Sequence, residues 1–210
     1  MEDILSVYER PYNPEYPVVC MDEKPYQLTG DRFEPIKMNK DNHSEKSDYE
    51  YDRKGSCSIF MFNEPLSGWR SCAALPQRTS EDWAERVKWL LDEQYPDVDK
   101  VVLVMDNLNT HTTASFYKIF EPEEAFRLSQ RLEIHYTPKH GSWLNMAEIE
   151  LSSLSTQCLG SRRIASLIDL NNELVAWHSN RNISQKGIEW QFNTDHARIK
   201  LKHLYPIVKF

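Results

Sequence analysis

Hydrophobic residues along this chain fall into two kinds of pattern. Short continuous runs occur at Val18-Val19-Cys20-Met21 and from Val101 to Met105. Runs of that length predict strands covered on both faces. Further strands are predicted over 56–63, 69–75 and 132–137, the first two antiparallel across a turn at Glu64–Gly68, the third stopped by Pro138. Helical spacing begins after Thr79 or Ser80 as N-cap, with apolar residues at Trp83, Ala84, Val87, Leu90 and Leu91. The pattern predicts further helices over 112–120, 123–131, 143–158 and 167–180. Antiparallel strands come first, and alternating strands and helices follow. That order predicts an α/β fold, a mixed sheet flanked by helices.

Between these elements the chain divides unevenly. Residues 1–16 are polar and proline-bearing and read as an entry arm before a domain over 17–182. Within it, 29–55 read as a polar insert without regular structure, a length that in compact domains is usually functional or disordered. The tail over 183–210 carries Trp190, Phe192, Leu204 and Tyr205, so it should pack back on the domain.

Composition narrows the class. With 210 residues, 40% of them apolar, the chain can bury a sizeable core. No run approaches the roughly 20 apolar residues of a membrane span, and the first residues do not read as a signal peptide. A cytoplasmic protein without a membrane partner is the expectation. The cysteines Cys20, Cys57, Cys72 and Cys158 have no metal-ligand spacing and read as buried thiols. The net charge of −7 sits awkwardly with nucleic-acid binding, which draws on Lys and Arg. Basic residues do cluster locally, at Arg53-Lys54, Lys139-His140, Arg162-Arg163 and Lys200 to His203. Such clusters are more often solvated faces than binding sites.

Candidate chemistry sits where apolar runs end. Both run into an aspartate, Asp22 and Asp106. If the two strands are parallel neighbours, both carboxylates emerge at the edge where open α/β sheets carry their sites. Mutual repulsion there calls for a cation, and magnesium accepts carboxylates together with phosphate oxygens. The plainer reading is that each Asp starts a loop. A third acid, Glu148, lies in the first turns of a helix entered through Pro138-Lys-His-Gly-Ser-Trp-Leu-Asn145. Asn145 and Glu148 also match a capping box, which would give the acid a structural task. Glu150, two positions on, must face elsewhere.

The segments MDEKPYQL, LVMDNLNTH and YTPKHGSWLNMAEIE resemble, in order and context, the three acidic motifs of insertion-sequence DDE transposases of the Tc/mariner superfamily. The resemblance spans residues 15 to 180. It implies an RNase H-like catalytic domain over 17–182, with Asp22, Asp106 and Glu148 as catalytic and metal-binding triad. It also implies two Mg2+ or Mn2+ ions and supporting roles for Asn107, His111 and Asn145. His111 would shape the site rather than act as a base, unless it is merely a buried or helix-capping histidine. The implied reaction is hydrolytic strand cleavage, then attack of the freed 3′-hydroxyl on target DNA, with flanking ions stabilising an in-line displacement. DNA is the implied partner, with Arg53, Lys54, Lys139 and His140 as candidate contacts. The insert over 29–55 occupies the place of a loop that in mariner-like relatives reaches a partner subunit, so it is a candidate dimer or DNA clamp.

Two departures from the family pattern stand out. Asp22 arrives too early for a preceding helix-turn-helix module. The expectation is therefore a homodimer, or assembly with a separate DNA-binding polypeptide, in a prokaryotic, nucleoid-associated setting; the alternative is an inactive remnant that survives as an interaction module. Lys24 would share a face with Asp22, and compete with metal, only if the strand continued past Pro25.

Overall fold

The computed structural model describes residues 1–34, 36, 48–139, 141–184 and 186–205. Among them five strands form one mixed sheet: β1 (Val18–Asp31), β2 (Tyr51–Glu64), β3 (Trp69–Leu75), β4 (Val101–Met105) and β5 (Leu132–Tyr136). Their spatial order is β3-β2-β1-β4-β5. The first three are antiparallel neighbours, while β1, β4 and β5 run parallel. The turn from β2 to β3 closes on Gly68, whose φ of 75° suits a residue without a side chain.

The helices are α1 (Glu2–Tyr8), α2 (Ser80–Trp89), α3 (Phe116–Ile119), α4 (Pro122–Gln130), α5 (Ala147–Leu154), α6 (Leu167–Ser184) and α7 (Thr194–Lys200). Strand alternation divides the buried residues between the two faces of the sheet. Cys20, Val102 and Val104 point toward α1, α5, α6 and α7. Val19, Met21, Leu103 and Met105 point toward α2, α3 and α4. Helix α2 starts as its sequence predicts, with Thr79 and Asp82 in a reciprocal capping box.

Several expectations change. Residues 1–16 are not simply an arm: α1 buries Ile4, Leu5 and Val7 in the core. A helix of only seven residues has too little periodicity to stand out. The polar insert keeps less of its length irregular than its composition suggests. Strand β1 continues to Asp31 and β2 begins at Tyr51, paired with a register shift at Leu28/Thr29. The rest of the insert lies largely outside the described residues. Pro25 does not end β1, because the pairing to β4 stops at Cys20 and leaves that edge without a strand partner among the described residues, where a proline fits. The predicted helix over 143–158 is a 3-10 turn (Ser142–Leu144), then α5, then a π-helical turn (Ser155–Leu159). In the tail, Trp190 meets Tyr8 at 5.4 Å between ring centroids, and Arg198 pairs with Glu2 at 2.8 Å.

Helix α6 lies along β3, one of the two edge strands. Asn182 accepts from the Arg70 amide and donates to its carbonyl, and Asn171 does the same at Ala74, at 2.8–3.0 Å. Between them the Cys72 amide donates to His178 Nδ1 at 3.3 Å. Side chains thus take up backbone groups that a sixth strand would otherwise use.

Candidate active site

The register of the parallel strands fixes where the two aspartates go. Cys20 pairs with Val104. Asp22 and Asp106 each follow two residues later, so alternation returns both to the face of Cys20 and Val104. Asp106 comes directly after the last residue of β4, and Asp22 lies just past the end of the parallel pairing. Both are half-buried.

Asp22 registers its neighbours electrostatically. Burial pushes its carboxyl up, and the hydrogen bond from the Glu23 amide at 2.7 Å opposes this. The charges of Asp106, Glu148 and Glu23 add to the upward shift, and the group titrates at about 6. An acid surrounded by acids is destabilised in its charged form until a cation joins it.

Glu148 reaches the same place from α5. The capping box does not form: the helix N-cap is Met146, whose side chain makes no cap hydrogen bond. Asn145 is buried and uses its amide differently. Its Nδ2 donates to the Met21 carbonyl at 2.7 Å, and its Oδ1 accepts from the Ala147 amide at 3.2 Å. It therefore ties the start of α5 to the strand residue preceding Asp22, and Glu148 stays half-exposed. Glu150 turns the other way, as helical geometry requires. It is 2% exposed and lies 3.0 Å from Arg70 Nε, with Arg181 at 3.3 Å.

His111 is completely buried, stacked near Trp83 at 6.1 Å between centroids. Its Nε2 hydrogen-bonds Glu23 at 3.0 Å. Its Nδ1 lies 2.7 Å from Asp106 Oδ1, an ion-pair contact without hydrogen-bond directionality. Burial works against the imidazolium, but the two carboxylates outweigh it and hold the ring up to about 9. His111 therefore braces Asp106 against β1. Sequence reasoning missed Glu23: as the odd neighbour of Asp22 it should face the other layer, and it does, toward α2. Its closeness to His111 follows only from the loop after β4. Asn107 is exposed.

An open cleft of about 450 Å3 is lined by Asp22, Glu23, Lys24, Glu148, Ser152 and Thr156 among others. Because β1 runs on through Pro25, Lys24 does share the face of Asp22. The other candidate contacts are not gathered here. Arg53 and Lys54 sit near Thr29 along the β1–β2 ribbon, roughly 20 Å from Asp22 at strand rise. Lys54 pairs with Asp52. Lys139 is exposed on the turn before α5, and His140 lies outside the described residues.

Among the described residues, no three His, Cys, Asp or Glu side chains stand close enough to ligate one ion as they are. The donor set nevertheless suits a hard cation. Magnesium takes one or two carboxylates and completes its shell with water and substrate oxygens. Asp106 Oδ1 is held by His111 at 2.7 Å, and the half-exposed carboxylate keeps its second oxygen for a ligand.

The sheet order, with parallel strands carrying acids at one edge and a third acid on a covering helix, defines an RNase H-like fold of the nuclease type. Solved structures with this architecture include the Mos1 mariner paired-end complex with Mn, at 15% identity and TM-score 0.55, matching 87% of this chain and 56% of that one. The Mos1 paired-end complex with Mg matches at 14% identity and TM-score 0.56, over 97% and 60%. The Mos1 strand transfer complex matches at 13% and 0.55, over 87% and 55%. This chain thus spans little more than half the length of those proteins. A search of curated protein sequences finds no match. A family model for DDE superfamily endonucleases matches residues 17–171, and the chain belongs to that family.

Proposed function

We propose that this chain is the catalytic domain of a transposase, cutting a DNA strand with a divalent metal and joining the freed 3′-hydroxyl to target DNA. The observation that carries this reading is the shared face of Asp22, Asp106 and Glu148 at the edge of the parallel strands, where burial first, and then the charges of the neighbouring acids, raise Asp22 to about 6. The family match and the likeness to the Mos1 transposase paired-end complex with left transposon end support it further.

Asp22, Asp106 and Glu148 would hold Mg2+ or Mn2+, in a pair of sites. When bound, the metal supplies positive charge to the reacting phosphodiester and its attacking oxygen. The chain's own residues set the geometry. His111 keeps Asp106 oriented through Glu23, and Asn145 keeps Glu148 facing the cleft. No nucleophilic side chain is called for, because the attacking groups are water and a DNA hydroxyl.

The test is cleavage of supercoiled plasmid in Mg2+ or Mn2+, with Asp106→Asn alongside. Metal-dependent nicking that falls about a thousandfold in the variant is expected, a loss of several kcal/mol of barrier lowering. Nicking that survives the substitution would remove the site from the reaction. Partner contacts through the insert over 29–55 are part of the same proposal, as a homodimer or with a separate DNA-binding chain. Deleting the insert should change mass by light scattering or abolish paired-end cutting; no change in either refutes the clamp.

A further inference from the structure

Lys24 is the cation of the cleft that the triad chemistry does not use. It stands two residues beyond Asp22 on β1, on the same face, about 7 Å along the strand. It lines the cleft with Glu148 and the hydroxyl residues Ser152, Ser155 and Thr156. One end of the cleft is therefore acidic, and the other holds an ammonium and three hydroxyls. Three acids lie nearby, yet Lys24 pairs with none: no carboxylate lies within 4 Å of its ammonium among the described residues. By contrast Arg10, Lys88, Arg127, Arg162 and Arg163 each have one. The hydroxyls of Ser155 and Thr156 donate to carbonyls one turn back, at 2.7 and 3.1 Å, which uses their protons and leaves the Lys24 ammonium as the charged donor at that end of the cleft.

A cation left unpaired beside acids invites an anionic ligand. The helix wall opposite it changes from α-helical to π-helical turns at Ser155, an irregularity that often marks a functional site. We infer that Lys24 holds a DNA phosphate next to the one that reacts, fixing the strand's register over Asp22 and Glu148. This rests on the proposed nuclease reading and adds a positioning residue to it. Lys24 thereby serves the substrate rather than competing with metal at Asp22: an ammonium committed to a phosphate is withdrawn from the carboxylates.

The test uses the full chain with Lys24→Ala and Lys24→Arg, checked for unchanged melting temperature. Binding of a short fluorescein-labelled duplex is followed by anisotropy in Ca2+ over a range of salt. The expected result is weaker binding by Lys24→Ala, about tenfold. Its salt dependence should be shallower by about one phosphate contact, a slope change near 0.9. Lys24→Arg should restore most of both. With Mg2+, KM should rise more than kcat falls. Unchanged affinity and slope, or tighter binding by Lys24→Ala, would overturn the assignment. Plasmid nicking measured in parallel separates the two proposals: if it still depends on Asp106 while Lys24→Ala binds normally, only the lysine assignment fails. If nicking ignores Asp106, the nuclease reading fails first.

Discussion

Glu148 and Glu150 stand two residues apart on one helix, and their surroundings differ in kind. Glu150 is sealed between β3, α5 and α6 with two arginines against it. Glu148 faces open space and two further acids, and among the described residues no cation pairs with it, although Lys24 lines the same cleft. The same contrast separates the regions they belong to. Behind α5 the charges are matched and the interior is closed. In front of it His111 meets Glu23 and Asp106, while Asp22 and Glu148 have no ion-pair partner among the described residues, and the molecule tolerates the repulsion. Completion marks the part that holds the fold; incompleteness marks the part awaiting something from outside.

The sharpest way to break this comparison is to exchange the consequences of the two sides. Arg70→Met leaves Glu150 buried with only Arg181, and removing one partner of a buried pair costs about 3–5 kcal/mol. Urea unfolding should record that loss, whereas Glu148→Gln should unfold like the parent while losing metal-dependent nicking. Equal stability effects from the two substitutions would erase the distinction. A smaller effect sharpens it at Asp22, whose carboxyl titrates near 6 folded against an ordinary 3.8. Near pH 3 and below, both states hold the proton. As pH rises toward 6 the unfolded state releases it first, so the folded state loses ground. Above about 7 the deficit is complete, on the order of 3 kcal/mol. In EDTA, Asp22→Asn should therefore melt higher than the parent at pH 8 and alike near pH 3. Asn145→Ala is the mildest test. It leaves the Met21 carbonyl and Ala147 amide without their side-chain partner, about 1–2 kcal/mol. Nicking should fall more than stability does, because Glu148 loses its tether to β1; an equal, small change in both would make Asn145 an ordinary turn residue.

The acids themselves were legible because two matching apolar runs ended in Asp, and the strand layout followed from the order of periodicities. Asn145 was legible as a residue that orients its turn, although its partner, the Met21 carbonyl 124 positions away, was not. Local pattern cannot report such contacts. The continuation of β1 through Pro25 was hidden for the same reason: proline's effect depends on which edge it faces, a property of neighbouring strands. Glu23 and Arg70 went unnoticed because each looks like a surface charge until a remote residue buries it. Residues 29–31 and 51–55 looked structureless by composition, yet a two-stranded ribbon can carry polar side chains on both faces while its backbone stays paired.

Helix α6 has a consequence beyond covering the core. Its Asn171, His178 and Asn182 imitate the donor and acceptor row of a neighbouring strand, and thereby close the sheet to recruitment of another chain at β3. Were α6 to peel away, that row would become a bare template for intermolecular pairing. The helix thus guards solubility as much as stability, and any trimming of this chain for biochemical work has its natural limit beyond residue 184 rather than before 167.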